Sequence, residues 1–412
     1  MIKYEKFELA NGLKVIVHED KLTELACMNI LYDVGARDEN PEQTGFAHLF
    51  EHLMFGGSVN IPNYDEPLQR AGGENNAFTT NDITNYYLTL PATNIETAFW
   101  LESDRMLSLA FSEKSLEVQR NVVIEEFKQS YLNQPYGDAW LMMRPLAYKV
   151  HPYRWATIGK EISHIEKAKI EDVKNFFKKH YVPNNAIMVI AGNVTLEQVK
   201  KLSEKWFAPI PAGIKIKRAL PVEPKQKEAR QETVEQNVPA SRIYKAYHVC
   251  SRTDDDFYAT DLLSDILSRG NSSRLYKSLV KDKQKFNEIS AYTSGDMDKG
   301  LFVISGKLAK NVSMEDAEKA IDDELMLLRN EIIGKEELEK VKNKIESSLV
   351  FSEMDILTKA MNLAVSELMG DCDLINQEIE KYTSVNAEKL QQLSKSIFNP
   401  ENCSTLYYLA KK

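Results

Sequence analysis

The pattern of apolar and polar positions predicts both strands and helices along the whole chain. The first 20 residues, MIKYEKFELANGLKVIVHED, are typical of a strand, an Asn-Gly turn and a second strand. The same periodicity predicts six further elements: strands at 26–34, 84–90 and 186–192, and helices at 44–57, 94–110 and 113–131.

The second half of the chain is similar to the first. Segment 171–192, EDVKNFFKKHYVPNNAIMVIAG, aligns with 388–409, EKLQQLSKSIFNPENCSTLYYL, at an offset of 217, and both indicate a helix, an aromatic-x-Pro turn and a strand. NILYDV at 29–34 aligns with YKAYHV at 244–249 at an offset of 215. Two nearly equal offsets predict a duplicated unit of roughly 200 residues. The alternative is a chance likeness between two helix–proline–strand corners.

A change of composition separates the two halves. Residues 209–239 contain five prolines mixed with lysine, glutamate and glutamine, and the apolar periodicity fades there, as is typical of a linker. We therefore predict an N-terminal domain at 1–208, a linker at 209–239 and a homologous C-terminal domain at 240–412. A length of 412 residues agrees with two to three domains.

Charge and cysteine usage narrow the possible partners and compartment. With 52 basic and 61 acidic residues the net charge is −9, which argues against nucleic acid as a partner. No stretch approaches the roughly 18–20 apolar residues that a membrane span needs. The four cysteines form no CxxC pair, which indicates free thiols in a reducing compartment. We therefore predict a cytoplasmic protein, although a chain trimmed of its leader would have the same sequence.

The predicted helix at 44–57 contains a metal-binding pattern in the sequence GFAHLFEHLMFGG. His48 and His52 are four positions apart, so both rings project from one helix face and suit a shared zinc ion. Glu51 faces the same side, within reach of a metal-bound water. HxxEH is the inverzincin form of the HExxH signature. The alternative is two core histidines, but three polar groups among so many apolar neighbours are costly to bury without a shared partner.

A zinc site of this kind needs a third protein ligand and leaves a fourth position for water. The best donor lies in LEVQRNVVIEEFKQS at 116–130. Its apolar stripe consists of Leu116, Val123 and Phe127. Glu126 lies at the edge of that stripe, whereas Glu125 points to the opposite side, so we predict Glu126 as the third ligand. A solvated Glu-Glu pair is the alternative.

Five segments of the chain, in order, resemble the pitrilysin/insulinase-type zinc peptidases. They are AGGENNAFTTNDITNYYLTLP (71–91), ESDRM (102–106), RNVVIEEF (120–127), HPYRWATIG (151–159) and YVPNNAIMVIAGN (181–193). Relatives in this family include mitochondrial processing peptidases and small bacterial processing-type proteases. The resemblance implies an α+β fold with two homologous domains, each a mainly antiparallel sheet flanked by helices.

The resemblance also implies roles for individual residues. His48, His52 and Glu126 match the zinc ligands, one Zn²⁺ per chain, and Glu51 matches the general base. The edge strand that lies beside the bound peptide in the family is matched by Asn76, Ala77, Phe78 and Thr79. Such a strand holds an extended substrate by main-chain hydrogen bonds without reading its sequence. Without the resemblance, this segment is typical of an ordinary transition from loop to strand.

The chain departs from the family pattern in three places. Gln119 stands where many relatives carry a glutamate that supports the zinc site. Active relatives often have an arginine and a tyrosine in the second domain that clamp the substrate backbone, with six residues between them. Arg274 and Tyr292 are present here, but that close spacing is absent, and Lys281 and Glu288 occupy the positions of the clamp. Near the aligned place in the second half stands FYATDLLSDILSRG (257–270), which contains no histidine, and this indicates one metal site per chain.

These observations favour a zinc metalloendopeptidase that cleaves peptides or unfolded polypeptides. A non-catalytic or scaffold subunit of a processing-peptidase-like complex is the main alternative, and a metal-dependent hydrolase of another substrate class is a third. Relatives enclose their substrate with four such domains, so we predict a homo- or heterodimer with a homologous subunit that supplies the clamp.

Overall fold

The computed structural model describes residues 1–411. Its strands are β1 (Glu5–Glu8), β2 (Lys14–Glu19), β3 (Leu25–Tyr32), β4 (Glu74–Thr79), β5 (Thr84–Pro91), β6 (Ala186–Gly192), β7 (Arg230–Gln236), β8 (Arg242–His248), β9 (Phe286–Thr293), β10 (Leu301–Leu308) and β11 (Cys403–Ala410).

Its helices are α1 (Phe46–Leu53), α2 (Asp65–Arg70), α3 (Ile95–Leu107), α4 (Glu113–Phe127), α5 (Ala139–Ala147), α6 (Ile162–Glu166), α7 (Ile170–His180), α8 (Leu196–Trp206), α9 (Phe257–Ser268), α10 (Met314–Asn330), α11 (Lys335–Ser352), α12 (Ile356–Leu368), α13 (Leu374–Ser384) and α14 (Ala387–Ile397). Within residues 1–411, no helix is both long enough and apolar enough to cross a membrane.

The strands form two sheets with matching topology. The first has the order β1-β2-β6-β3-β5-β4 and the second the order β7-β11-β8-β10-β9. In each sheet one pair is parallel, β2 with β6 and β7 with β11, and all other pairs are antiparallel. Apart from β1, the two sheets repeat one another strand for strand. The predicted α+β fold with a duplicated, mainly antiparallel unit is therefore confirmed.

The chain divides into two compact units that do not follow the two halves of the sequence. The first unit combines residues 1–127, 155–220 and 350–377, and the second combines 128–154, 221–349 and the segment that begins at Glu378. Each unit therefore contains one helix from the other half, α12 in the first and α5 in the second. The predicted boundaries at 208 and 240 differ from this division because two helices pack away from their own half.

The exchanged helices complete the cores of both units. Helix α12 packs on β3 and β6, and its residues Ala360, Leu363 and Ala364 are fully buried there. Helix α5 packs on β8 and β11, with Met143 in the same core cluster as Leu406. Burial of this kind contributes roughly 25 cal/mol per Å² of apolar surface, so each sheet depends on its exchanged helix for stability.

The segment predicted as a linker, 209–239, is irregular up to residue 229 and then forms β7. This strand, RQETVEQ, is mostly exposed and pairs in parallel with β11. Its few apolar residues explain why the pattern gave no signal, since main-chain pairing rather than burial holds the strand in place.

Helix α1 is fixed in the first unit by its apolar face. Phe46, Leu49, Phe50 and Leu53 are buried, and the ring of Phe50 lies 4.2 Å from that of Tyr181 between centroids. Because these residues cover one side of the helix, the polar residues of HLFEH lie on the other side.

Candidate active site

A buried carboxyl group closes the N-terminus of α1. Glu39 accepts hydrogen bonds from the backbone N–H groups of Gly45 (2.9 Å) and Ala47 (2.8 Å), two of the donors that the first helical turn leaves without partners. Gly45, the residue before the helix, has a φ of 86°, and an added Cβ there would lie 2.6 Å from the carbonyl oxygen of Ile158. Burial raises the pKa of Glu39 to about 8. Glu39 thereby fixes the start of the helix that carries the motif.

Two histidines and one glutamate converge on the polar face of α1. The Nε2 atoms of His48 and His52 lie 3.7 Å and 3.5 Å from Oε2 of Glu126, on α4. One ligand atom from each of these three residues lies within 4.8 Å of the others. The imidazole rings are 4.8 Å apart between centroids and nearly perpendicular. The chain therefore brings together the three residues predicted as metal ligands.

The spacing and protonation of these groups fit a zinc ion. Ligand atoms about 2.0–2.1 Å from a tetrahedral zinc are separated by roughly 3.4 Å, close to the observed separations. Burial lowers the pKa of His48 to about 4, so its imidazole is neutral and able to bind a metal at neutral pH. A hydrogen bond from His52 lowers the pKa of Glu126, which favours the carboxylate. The ligand roles of His48, His52 and Glu126 stay predictions.

The two adjacent glutamates of α4, Glu125 and Glu126, differ in how far each is exposed to solvent. Its apolar stripe, Leu116, Val123 and Phe127, is buried, whereas Glu125 is exposed. Glu126 lies between these extremes, with its side chain 42 % exposed. The helical period thus turns Glu126 and not Glu125 towards the histidines.

Glu51 lies on the same helix face as the two histidines and is held by a residue of β4. The hydroxyl of Thr79 donates a hydrogen bond to Oε2 of Glu51 at 2.5 Å. Burial raises the pKa of Glu51, which makes the carboxylate a stronger base than an exposed one.

Two family models match the chain. The model of the insulinase family, peptidase family M16, matches residues 14–144, and the model of the peptidase M16 inactive domain matches residues 167–345. Together these ranges cover about three quarters of the chain. The chain belongs to the M16 family. Its predicted membership of the pitrilysin/insulinase-type zinc peptidases is therefore confirmed.

The chain is similar to proteins that are named zinc proteases or processing peptidase subunits. "Zinc protease PqqE" of Helicobacter pylori is 28 % identical over 414 residues, covering 98 % of this chain and 92 % of that protein. A probable mitochondrial-processing peptidase subunit beta of Arabidopsis thaliana is 24 % identical, covering 90 % of this chain and 74 % of that protein. A crystal structure of a protease from Helicobacter pylori matches with a TM-score of 0.93 and 28 % identity, covering 99 % and 100 % of the two chains.

The strand predicted to bind the substrate lies at the edge of the first sheet. Strand β4 pairs only with β5 among residues 1–411, so its outer side is open. The backbone N–H of Ala77 is bound at 2.8 Å by the side-chain oxygen of the preceding Asn76. Phe78 is 36 % exposed. This edge is able to accept a further strand, but substrate binding there stays a prediction.

The positions that depart from the M16 pattern have other partners or none. Gln119 lies two turns before Glu126 on α4 and makes no hydrogen bond to the site within residues 1–411. The buried Nδ1 atom of His48 has no hydrogen-bond partner among residues 1–411. In the second unit, Arg274 binds Glu337 through two hydrogen bonds of 2.9 Å and 2.6 Å.

The remaining clamp positions lie on or beside β9. Glu288 pairs with Arg242 at 3.2 Å, and Tyr292 is partly exposed beside the ring of Trp140. Lys281 belongs to a π-helical segment, Tyr276–Asp282.

The ESDRM segment forms a buried cluster that sequence reasoning used only as a mark of the family. Arg105 contacts Glu102 through Nε (2.8 Å) and Nη2 (2.7 Å), and both side chains are only 2 % exposed. The guanidinium lies 4.5 Å from the ring centre of Tyr86 and 4.6 Å from that of Tyr64. Tyr64 also donates a hydrogen bond to Glu102. Because Tyr86 belongs to β5, the neighbour of β4, this cluster supports the sheet beneath the site.

Proposed function

We propose that this chain is a zinc-dependent metalloendopeptidase that hydrolyses peptides or unfolded polypeptides bound as an extended strand. The observation that carries the proposal is the convergence of His48, His52 and Glu126, whose ligand atoms lie within 4.8 Å of one another. Glu51 on the same helix face supplies the base that peptide hydrolysis needs.

The donor set suits a zinc ion held by two imidazoles and one carboxylate, with one position left for water. When bound, zinc polarises the scissile carbonyl and lowers the pKa of a water molecule. Glu51 accepts a proton from the attacking water while the oxygen of that water forms a bond to the carbonyl carbon. The same carboxyl then gives this proton to the amine nitrogen as the C–N bond breaks. The raised pKa of Glu51 suits a group that both accepts and returns a proton.

The open edge of β4 supports binding of an extended substrate. A peptide that adds to this edge would replace the Asn76 side chain as the acceptor for the N–H of Ala77. Such main-chain pairing does not depend on the amino-acid sequence of the substrate. We therefore propose that selectivity depends on which polypeptides are unfolded enough to pair with the strand.

The substitution E51Q tests the proposal. It removes the base but keeps the shape of the side chain and all three proposed ligands. We expect zinc, measured by atomic emission, to remain near one ion per chain, while cleavage of a quenched fluorescent peptide falls at least about 100-fold. Turnover equal to that of the wild-type chain would reject the assignment of Glu51. Activity that survives a zinc chelator would favour a different chemistry.

A non-catalytic role within a heteromer is the second candidate. It is favoured by Gln119, which brings no negative charge to the site, and by Arg274, which is engaged by Glu337. We propose that the chain pairs with a homologous subunit that supplies the substrate clamp. Light scattering at micromolar concentration tests this pairing. A strict monomer with full activity would contradict it, and activity found only in a co-purified partner would favour the scaffold role.

A further inference from the structure

The link between Thr79 and Glu51 joins the proposed substrate strand to the proposed base. Thr79 is the last residue of β4, and Glu51 lies in the last turn of α1. The hydroxyl of Thr79 donates to Oε2 of Glu51 at 2.5 Å. The family pattern placed Thr79 among the substrate-binding residues through its main chain. Its side chain points instead to the carboxylate of Glu51.

This hydrogen bond holds one oxygen of the carboxylate and leaves the other available. Within residues 1–411, Thr79 is the hydrogen-bond partner of Glu51, and Oε1 of Glu51 makes no hydrogen bond. A threonine hydroxyl has one proton to donate, and β-branching restricts its rotamer in a strand. The donor is therefore held firmly by the sheet, and the carboxylate takes its orientation from that donor.

We propose that Thr79 is a positioning residue, which orients Glu51 so that Oε1 receives the proton of the attacking water. The proposal rests on the proposed function, since it assigns a supporting role in the same reaction. Because Thr79 ends the strand that would pair with the substrate, the orientation of the base depends on the strand that binds the peptide.

The pair T79V and T79S separates the hydroxyl from the packing. Valine keeps the β-branched shape but removes the donor, whereas serine keeps the donor. For T79V we expect kcat to fall about 10- to 100-fold, because a misplaced group costs up to about 100-fold, with KM changed less than about twofold. For T79S we expect recovery of most of the lost kcat. Metal content, measured by atomic emission, should stay at the wild-type value in both.

The control T89V makes the same chemical change on β5, where Thr89 pairs with Glu74 at the opposite end of β4 from Thr79. It should leave kcat unchanged. The proposal is overturned if T79V retains wild-type kcat, or if T79S loses as much kcat as T79V. Comparison with E51Q distinguishes a failure of the role of Thr79 from a failure of the proposed function. An inactive E51Q beside a fully active T79V rejects only the role of Thr79, whereas a fully active E51Q rejects the proposed function itself.

Discussion

The carboxylate of Glu126 lies 3.5 Å from Nε2 of His52, although the two residues belong to different helices. Helix α4 turns its apolar stripe into the core, and this burial fixes which of two adjacent glutamates reaches the histidines. The candidate metal site therefore depends on the packing of α4 as much as on the motif of α1.

The two neighbouring glutamates provide a matched pair of variants. We expect E126Q to lower zinc affinity at least about tenfold, because an amide oxygen replaces a charged ligand. E125Q removes the same charge from the exposed side of the helix and should leave affinity nearly unchanged. Competition titration with a chromophoric chelator measures both. Equal losses in the two variants would show that overall charge, and not coordination, sets the affinity.

A proline at residue 77 tests the edge of β4 as the substrate site. A77P removes the N–H that Asn76 binds and that a paired peptide would use. One lost main-chain hydrogen bond is worth about 1 kcal/mol, so we expect KM to rise roughly fivefold with a smaller change in kcat. A77G keeps the N–H and serves as the control. Unchanged KM in A77P would place the substrate elsewhere.

The buried Glu39 gives the stability of the chain a specific pH dependence. Its pKa of about 8 exceeds the ordinary value of 4.5, so the folded chain holds a proton that the unfolded chain releases between these values. The contribution to stability is therefore complete below pH 4.5 and is lost as pH rises towards 8.

The substitution E39Q removes this titration. We expect the melting temperature of wild type to fall relative to that of E39Q as pH rises from 5 to 8, in the presence of a chelator. Every other titratable group is present in both proteins, so its titration does not affect the difference between their melting temperatures. E42Q removes an exposed carboxylate from the same loop and should follow wild type. A constant difference between wild type and E39Q across this range would refute the assignment.

Two Glu–Arg pairs with the same spacing provide a test of burial. Glu102 and Arg105 are both 2 % exposed, whereas in the pair of Glu117 and Arg120 on α4 the glutamate is 59 % exposed and the arginine also donates to the carbonyl oxygen of Ala168. We expect E102Q to destabilise the fold by about 3–5 kcal/mol, because it leaves a buried guanidinium without its counter-ion. E117Q should cost no more than about 1 kcal/mol. Urea unfolding measures both, and similar losses would contradict this account.

Local periodicity was enough to predict the elements that carry the motif. The predicted helix at 44–57 contains α1, and the predicted helix at 113–131 contains α4. The helical period also separated Glu126 from Glu125, since burial of an amphipathic helix follows from sequence alone. At the offset of 215, the polar positions of HLFEH correspond to Leu263, Ile266 and Leu267, which are fully buried in the second unit.

The features that the sequence did not predict are contacts between distant segments. Glu39 closes α1 from an irregular loop, and no short-range pattern marks an acid at that position as a helix cap. The hydrogen bond from Thr79 to Glu51 depends on how β4 lies against α1. Strand β7 forms because β11 offers a free edge, and its own residues are mostly polar. Each depends on tertiary packing, which a single sequence does not encode locally.

The exchange of α5 and α12 has a consequence for any attempt to split the chain. A cut in the irregular stretch before residue 230 would leave each fragment carrying a helix whose apolar side belongs on the other fragment's sheet. Neither fragment would retain a closed core, so both would expose apolar surface and aggregate when produced alone. Produced together, they would recover the native arrangement only by complementation, as two halves of one folding unit.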